Sequence, residues 1–278
     1  MAVYHLSAKL ISRKSGRSAT AAAAYRAGER IVDQRTGEVH DYTRKRGIEH
    51  AEIVMPASTD WQPGRDELWN AVELKNRRAD AQVAREFEVA LPAELPEEDR
   101  RRLALDFARE IADRYSVAVD VAIHAPSGKG DDRNHHAHIL TTTNRVEGNM
   151  LGNKARELDL VAHNMSGKVG QSNEIDHLRE RFAALQNERL AEHGISEHVD
   201  HRSLKDQGIT DRLPQVHLGP AATQMHRRGV KSDKWLSREQ ANEALQAAAE
   251  VGQLGREQKE VDRAMIDIET DLSDLLLE

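Results

Sequence analysis

The chemistry available to this chain is concentrated in three histidines, His124, His136 and His138. His136 and His138 stand two apart in Asn134-His135-His136-Ala137-His138-Ile139-Leu140. Side chains of an extended strand alternate with period two, so both imidazoles project from one face. His124 closes an upstream apolar run, Val117 to Ile123. The segment between, Ala125 to Arg133, is rich in Gly, Pro, Asp and Ser and reads as a connecting loop. If the two runs pair as a hairpin, His124 meets the other two. Three neutral imidazoles on one sheet face make a seat for a divalent ion with open positions. The competing reading is of ordinary surface histidines in a chain that has 14. His-x-His on a strand, with a third His in hairpin reach, favours the metal seat. His135 points to the other face and is set aside.

Imidazole nitrogen favours Mn, Fe, Co, Ni or Zn over Mg, but cellular supply also decides; Mn2+ or Mg2+ is the expected ion. Such an ion polarises a phosphoryl or carbonyl oxygen. A tyrosine within reach is then a possible nucleophile. A free phenol has a pKa of ~10, so it needs a base or a nearby positive field.

Several elements must position these groups. Val117, Val119, Val121 and Ile123 share one face of the first His strand; Ala118, Asp120, Ala122 and His124 share the other. Val83 to Leu91 alternates as well, with Phe87, Val89 and Leu91 on one face, Glu86 and Glu88 on the other, and Pro92 ending it. Two carboxylates facing away from a core are usually solvated. On the His face they become candidates for orienting a ligand or taking a proton. Ser18 to Gly28 is an alanine-rich helix, with Ser15 or Ser18 as cap and Gly28 as stop. Its single large side chain is Tyr25, which taken alone reads as packing against a sheet. Ala2 to Leu10 and Ala51 to Met55 read as strands, and Asp66 to Arg78, Glu97 to Tyr115 and Asn173 to His193 as helices. Ile31 to Glu49 reads as loop or short hairpin, and Met150 to Asp159 as loop. From Trp235 the chain is helical and increasingly acidic.

Composition sets outer limits. The 278 residues suffice for one large or two modest domains. There is no cysteine, which excludes disulfides and thiolate metal sites. No apolar run approaches the length of a membrane span, and the N-terminus lacks a secretory pattern, so a cytoplasmic protein is expected. The net charge of −7 is unevenly spread. Residues 1–50 carry ten Lys/Arg against five Asp/Glu, and residues 251–278 three against eight. Nucleic-acid binding needs a local basic surface, not a basic total.

Ala2-Val3-Tyr4-His5-Leu6, the Ser18 to Gly28 run with Tyr25, Glu86 to Pro92, the three histidines, Asp200-His201-Arg202-Ser203-Leu204 and His217-Leu218-Gly219-Pro220 occur in this order. Together they resemble plasmid mobilisation relaxases of the MobA/MobL type, within the HUH single-strand endonucleases, over roughly residues 1–220. The His set alone is shared with rolling-circle replication initiators and single-strand transposases. The ordered motifs are more specific.

The resemblance implies an α+β fold: an antiparallel central sheet with flanking helices on its outer face, followed by a helical C-terminal tail. It implies a nicking domain over residues 1–220 and an acidic helical segment over 221–278. Relatives often continue into helicase or primase domains, so that segment is read as the start of a longer region. His124, His136 and His138 match the family's metal ligands, and Tyr25 its nucleophile. Glu86 and Glu88 match an acidic pair that orients or deprotonates the Tyr, although that face could also place them in the metal's shell. The implied reaction nicks one strand at an origin of transfer through a 5′-phosphotyrosyl link that can be resealed. Arg13, Lys14, Arg17, Arg26, Arg44, Lys45, Arg46 and Arg202 are expected to contact DNA phosphates. Expected partners are single-stranded DNA with an adjacent hairpin, relaxosome proteins and a conjugative secretion apparatus, with passage to a recipient cell attached to DNA. The alternatives are an initiator or transposase, or a non-catalytic DNA-binding module with a structural metal.

Overall fold

The computed structural model describes residues 4–126, 132–159 and 172–209, with discontinuous positions between 222 and 258. Contacts divide the chain into two compact units, Met1–His201 and Arg202–Glu278. The boundary expected at 220 and the His217 to Pro220 motif lie outside the described residues.

The first unit is built on a six-stranded sheet. In chain order its elements are β1 (Leu6–Ser12), α1 (Ala19–Ala27), β2 (Arg30–Val32), β3 (Val39–Asp41), β4 (Ile48–Val54), α2 (Arg65–Lys75), β5 (Gln82–Ala90), α3 (Glu97–Tyr115), β6 (Val117–His124), β7 (His136–Glu147), β8 (Met150–Lys154) and α4 (Ser172–Glu192). The strands lie in the order β1-β5-β7-β6-β4, every neighbour antiparallel, and β8 adds to β7. β2 and β3 form a separate small hairpin.

Helices cover both faces of the sheet. On one, Leu103, Phe107, Ile111 and Tyr115 of α3 meet Ile175, Phe182 and Leu185 of α4 over Phe87, Val119, Val121 and Ile139. α3 opens with Glu97, Glu98 and Asp99, which suit the positive end of the helix dipole. On the other face, Ala19, Ala23 and Ala24 of α1 and Leu68, Trp69 and Val72 of α2 pack over Ala84, Ala118 and Leu140. The alanines let α1 lie close to its neighbours. Ser18 caps it by accepting from the Ala21 amide, and Gly28 ends it in the left-handed region at φ 68°. A β-carbon at Gly28 would also collide with Ile48.

Two expectations change. Helices flank the sheet on both faces, not one. β7 continues to Glu147 through Thr141, Thr142, Thr143 and Asn144, all buried. Thr142 Oγ1 donates to the Asn144 carbonyl and Asn144 Nδ2 to the Gly152 carbonyl. Met150 to Asp159, read as loop, contains β8, which turns back on β7 through Gly148 at φ 57°.

Candidate metal and nucleophile site

The hairpin reading of β6 and β7 holds. His124 lies opposite His136, and His138 opposite Ala122. The three rings have centroids 4.7 to 5.4 Å apart. One ligand nitrogen from each can be chosen so that all lie within 4.8 Å of one another. Each ring is also tied by its other nitrogen to an oxygen. His124 Nε2 lies 2.8 Å from the Arg26 carbonyl, His136 Nδ1 2.9 Å from the Asn134 carbonyl, and His138 Nδ1 2.6 Å from Glu86 Oε1. The tied nitrogen carries the proton and leaves the other lone pair for a ligand: Nδ1 of His124, Nε2 of His136 and of His138. This all-nitrogen donor set, with its outer oxygens in place, fits a divalent transition ion.

Burial draws the His124 pKa down to about 4 against the opposing Arg26 carbonyl, and the Lys45 charge adds to the drop. His136 is lowered by the same desolvation. Both rings are therefore neutral and ready to ligate at physiological pH. His135 turns elsewhere, its Nδ1 3.4 Å from Glu49 Oε1.

Glu86 is almost wholly buried and has both oxygens engaged. Beside the His138 contact, Arg26 Nε reaches Oε1 at 2.7 Å and Arg26 Nη2 reaches Oε2 at 2.6 Å. Burial pushes the Glu86 pKa up, but His138 and Arg26 outweigh it and hold the carboxyl well below its ordinary range. Glu88 lies opposite His138 and is ion-paired to Lys9 on β1.

Tyr25 sits near the end of α1 and is 49% exposed. The Tyr42 ring meets it edge-on at 5.2 Å, and Lys45 Nζ lies 3.8 Å over its centroid while donating to its carbonyl at 2.8 Å. The next residue, Arg26, ties α1 to the triad twice. Its carbonyl faces His124, and its guanidinium grips the carboxylate that orients His138.

The cations expected to touch DNA fall into groups. Arg26 is engaged as described. Arg44 and Arg46 are exposed beside the half-buried Lys45. Arg13, Lys14 and Arg17 follow β1 at the end of the sheet away from the histidines, since Leu6 pairs with Val89 but Ser12 with Gln82. Arg13 is spent on Glu73 and on the carbonyls of Asn76 and Arg78. Lys14 and Arg17 are exposed. Arg202 opens the second unit, while His201 Nδ1 lies 3.8 Å from Asp200 Oδ1 in the first.

Sequence reasoning missed the anchor of α2. Arg65 Nε contacts both oxygens of the buried Asp120, at 3.1 and 2.9 Å, Trp69 Nε1 donates to Asp120 at 2.8 Å, and Arg65 also pairs with Glu29 just beyond α1. The signal was an aspartate inside the apolar run Val117 to Ile123. Lys9 had no comparable signal.

An antiparallel sheet bearing three converging imidazoles beside a tyrosine helix supplies a donor set that could hold a metal ion. Residues 17–228 match the MobA/MobL family, and the chain belongs to it. It is 43% identical to mobilization protein MobL of Acidithiobacillus ferridurans, over 98% of this chain and 77% of that protein. It is 33% identical to conjugal transfer protein TraA of Rhizobium radiobacter, over 87% of this chain but 24% of that protein. A solved structure described as the molecular basis of vancomycin resistance transfer in Staphylococcus aureus superimposes with a TM-score of 0.60 at 30% identity, covering 73% of this chain and all of that one. Among the described residues no helix is long and apolar enough to cross a membrane.

Proposed function

We propose that the chain is a cytoplasmic relaxase that nicks one DNA strand at an origin of transfer and can reseal it. The observation that carries this is the double tie of Arg26, which links the helix bearing Tyr25 to two of the three imidazoles. Membership of a family of mobilisation proteins favours this reading over a replication initiator or transposase.

Of the two expected ions, Mn2+ and Mg2+, the three nitrogens of His124, His136 and His138 would hold Mn2+ better. Its contribution when bound is Lewis-acid polarisation of the phosphate's non-bridging oxygens. The remaining work falls to the chain. Tyr25 Oη forms the bond to phosphorus, and the bond from phosphorus to the 3′ oxygen breaks in line. The phenol gives up one proton and the departing 3′ oxygen takes one, leaving a 5′-phosphotyrosyl link. One ester replaces another, so the step runs in reverse when the strand is resealed. Both oxygens of Glu86 are occupied, so its role is to orient His138 and Arg26. Glu88, paired to Lys9, adds negative charge on the same face. Lys45 holds the Tyr25 ring and offers its charge to a phosphate, as Arg44 and Arg46 do. Catalysis of this kind rests on positioning and fixed charge.

The test is a denaturing gel on a labelled origin oligonucleotide with Mn2+ or Mg2+. Tyr25→Phe abolishes the covalent adduct and keeps DNA binding; chelator abolishes nicking while circular dichroism stays unchanged. An adduct that survives Tyr25→Phe refutes the reading.

A further inference from the structure

A second charged feature lies at the far end of the sheet. A cleft of about 460 Å³ opens between the end of α2, the start of β5 and the turn after β8. Its lining includes Lys75, Arg77, Arg78, Lys154 and Arg156. Lys14 belongs to the same neighbourhood, because its charge acts on Asp80 in the cleft wall. Two carboxylates share the lining, Asp80 and Asp159, so five cations against two anions leave +3 in a chain whose net charge is −7. The carboxylates are already committed: Asp80 to Arg78 at 2.9 Å, and Asp159 to the buried Arg85 at 2.5 Å. Lys75 and Arg77 are exposed, and neither has an ion-pair partner among the described residues. Arg156 is exposed, with a single contact to Asp159 at 4.0 Å. Burial lowers the Lys154 pKa, and the Arg85, Arg156 and Arg78 charges add to the drop while Asp159 opposes it.

We propose that this cleft binds the phosphodiester backbone of DNA flanking the phosphate processed at the histidines. The inference rests on the proposed function for its ligand but not on the nicking step. Exposed cations from three separate segments suit a polyanion that runs past them. The distance fits as well. β5 passes from Glu88, opposite His138, to Gln82 in the cleft wall, six residues or about 20 Å. That is the rise of about six base pairs of duplex.

The experiment compares the wild type with Lys75→Gln/Arg77→Gln/Arg156→Gln, which removes three exposed cations outside the triad. Fluorescence anisotropy is read over a salt series with two probes, a hairpin origin oligonucleotide and a tetranucleotide too short to reach both sites. As a control, Arg101→Gln/Arg102→Gln/Arg109→Gln removes the same charge from α3. For the cleft variant, hairpin affinity falls about tenfold or more and the salt slope shrinks by about 2 to 3, while tetranucleotide binding is unchanged. An unchanged slope, or an equal loss in the α3 control, overturns the proposal. A melting shift by pyrophosphate that the variant loses, with hairpin binding intact, also overturns it and makes the cleft a free-phosphate site. Equilibrium binding is read throughout, so failure of the nicking assay leaves this test standing.

Discussion

The two faces of the sheet are buried to similar depth but differ in kind. Against α3 and α4 the sheet presents Phe87, Val119, Val121, Ile123 and Ile139, and the Phe107 and Phe182 rings meet at 5.0 Å. The buried charges on that side are arginines: Arg85, answered by Asp159, Arg189, answered by Asp106, and Arg100, which donates to the Leu95 carbonyl. Against α1 and α2, besides Asp33, which Thr20 of α1 holds by a hydrogen bond, three carboxylates are buried: Glu73, Glu86 and Asp120. Each is paired with an arginine, Arg13, Arg26 and Arg65 respectively, and each pair ties a helix to the sheet or its edge. Buried ion pairs contribute little net stability, because desolvation offsets their attraction, but they dictate geometry. One face therefore holds the fold together, and the other fixes where Tyr25 and the histidines stand.

The division is broken most severely at the apolar face. Phe107→Ala empties a fully buried site and should destabilise the fold by about 3–5 kcal/mol in a denaturant titration. At temperatures where the variant remains folded, metal binding should match the wild type. A large loss of metal affinity in the folded variant would show that the apolar face also sets the site.

On the polar face a near-isosteric change sharpens the contrast. Glu86→Gln keeps the shape but removes the charge that orients His138 and Arg26. Loss of such an outer carboxylate should weaken Mn2+ binding 10- to 100-fold, about 1.4–2.7 kcal/mol, as read by titration calorimetry. Unchanged affinity would mean that the His138 ring is held by packing alone.

The apolar face was far more legible in the sequence than the polar one. Helical period gave α3 with the bounds observed, and strand alternation sorted Val117 to His124 into the right faces. The triad was legible too, because His-x-His spacing and a hairpin connection are local facts. The ion pairs were not. Arg26 with Glu86, and Arg65 with Asp120, are 60 and 55 residues apart. Nothing in the local pattern shows which carboxylate a given arginine will meet. The basic N-terminal segment was read as one DNA surface for the same reason. β1 carries its Arg13 to Arg17 end away from the histidines, while α1 returns Tyr25 and Arg26 to them.

The smallest expected effect is a dependence on pH at Lys45. Burial, helped by Arg26, lowers its pKa from 10.5 to about 8. Below pH 8 it is charged and available to a phosphate; above, the contact fades. DNA affinity should therefore fall modestly between pH 7 and 9, and the salt slope should shrink by about 1. Lys45→Arg, charged throughout, should stay flat. Fold stability must respond with the opposite sign. The depressed pKa means that the unfolded chain binds more protons between about 8 and 10.5, so this group makes the fold more stable as pH rises through that window. Weaker binding with stability held or raised cannot be a trace of unfolding. Wild-type affinity that is flat across pH 8, or a fall shared by Lys45→Arg, would place the Lys45 ammonium away from the DNA and leave it only the task of holding the Tyr25 ring.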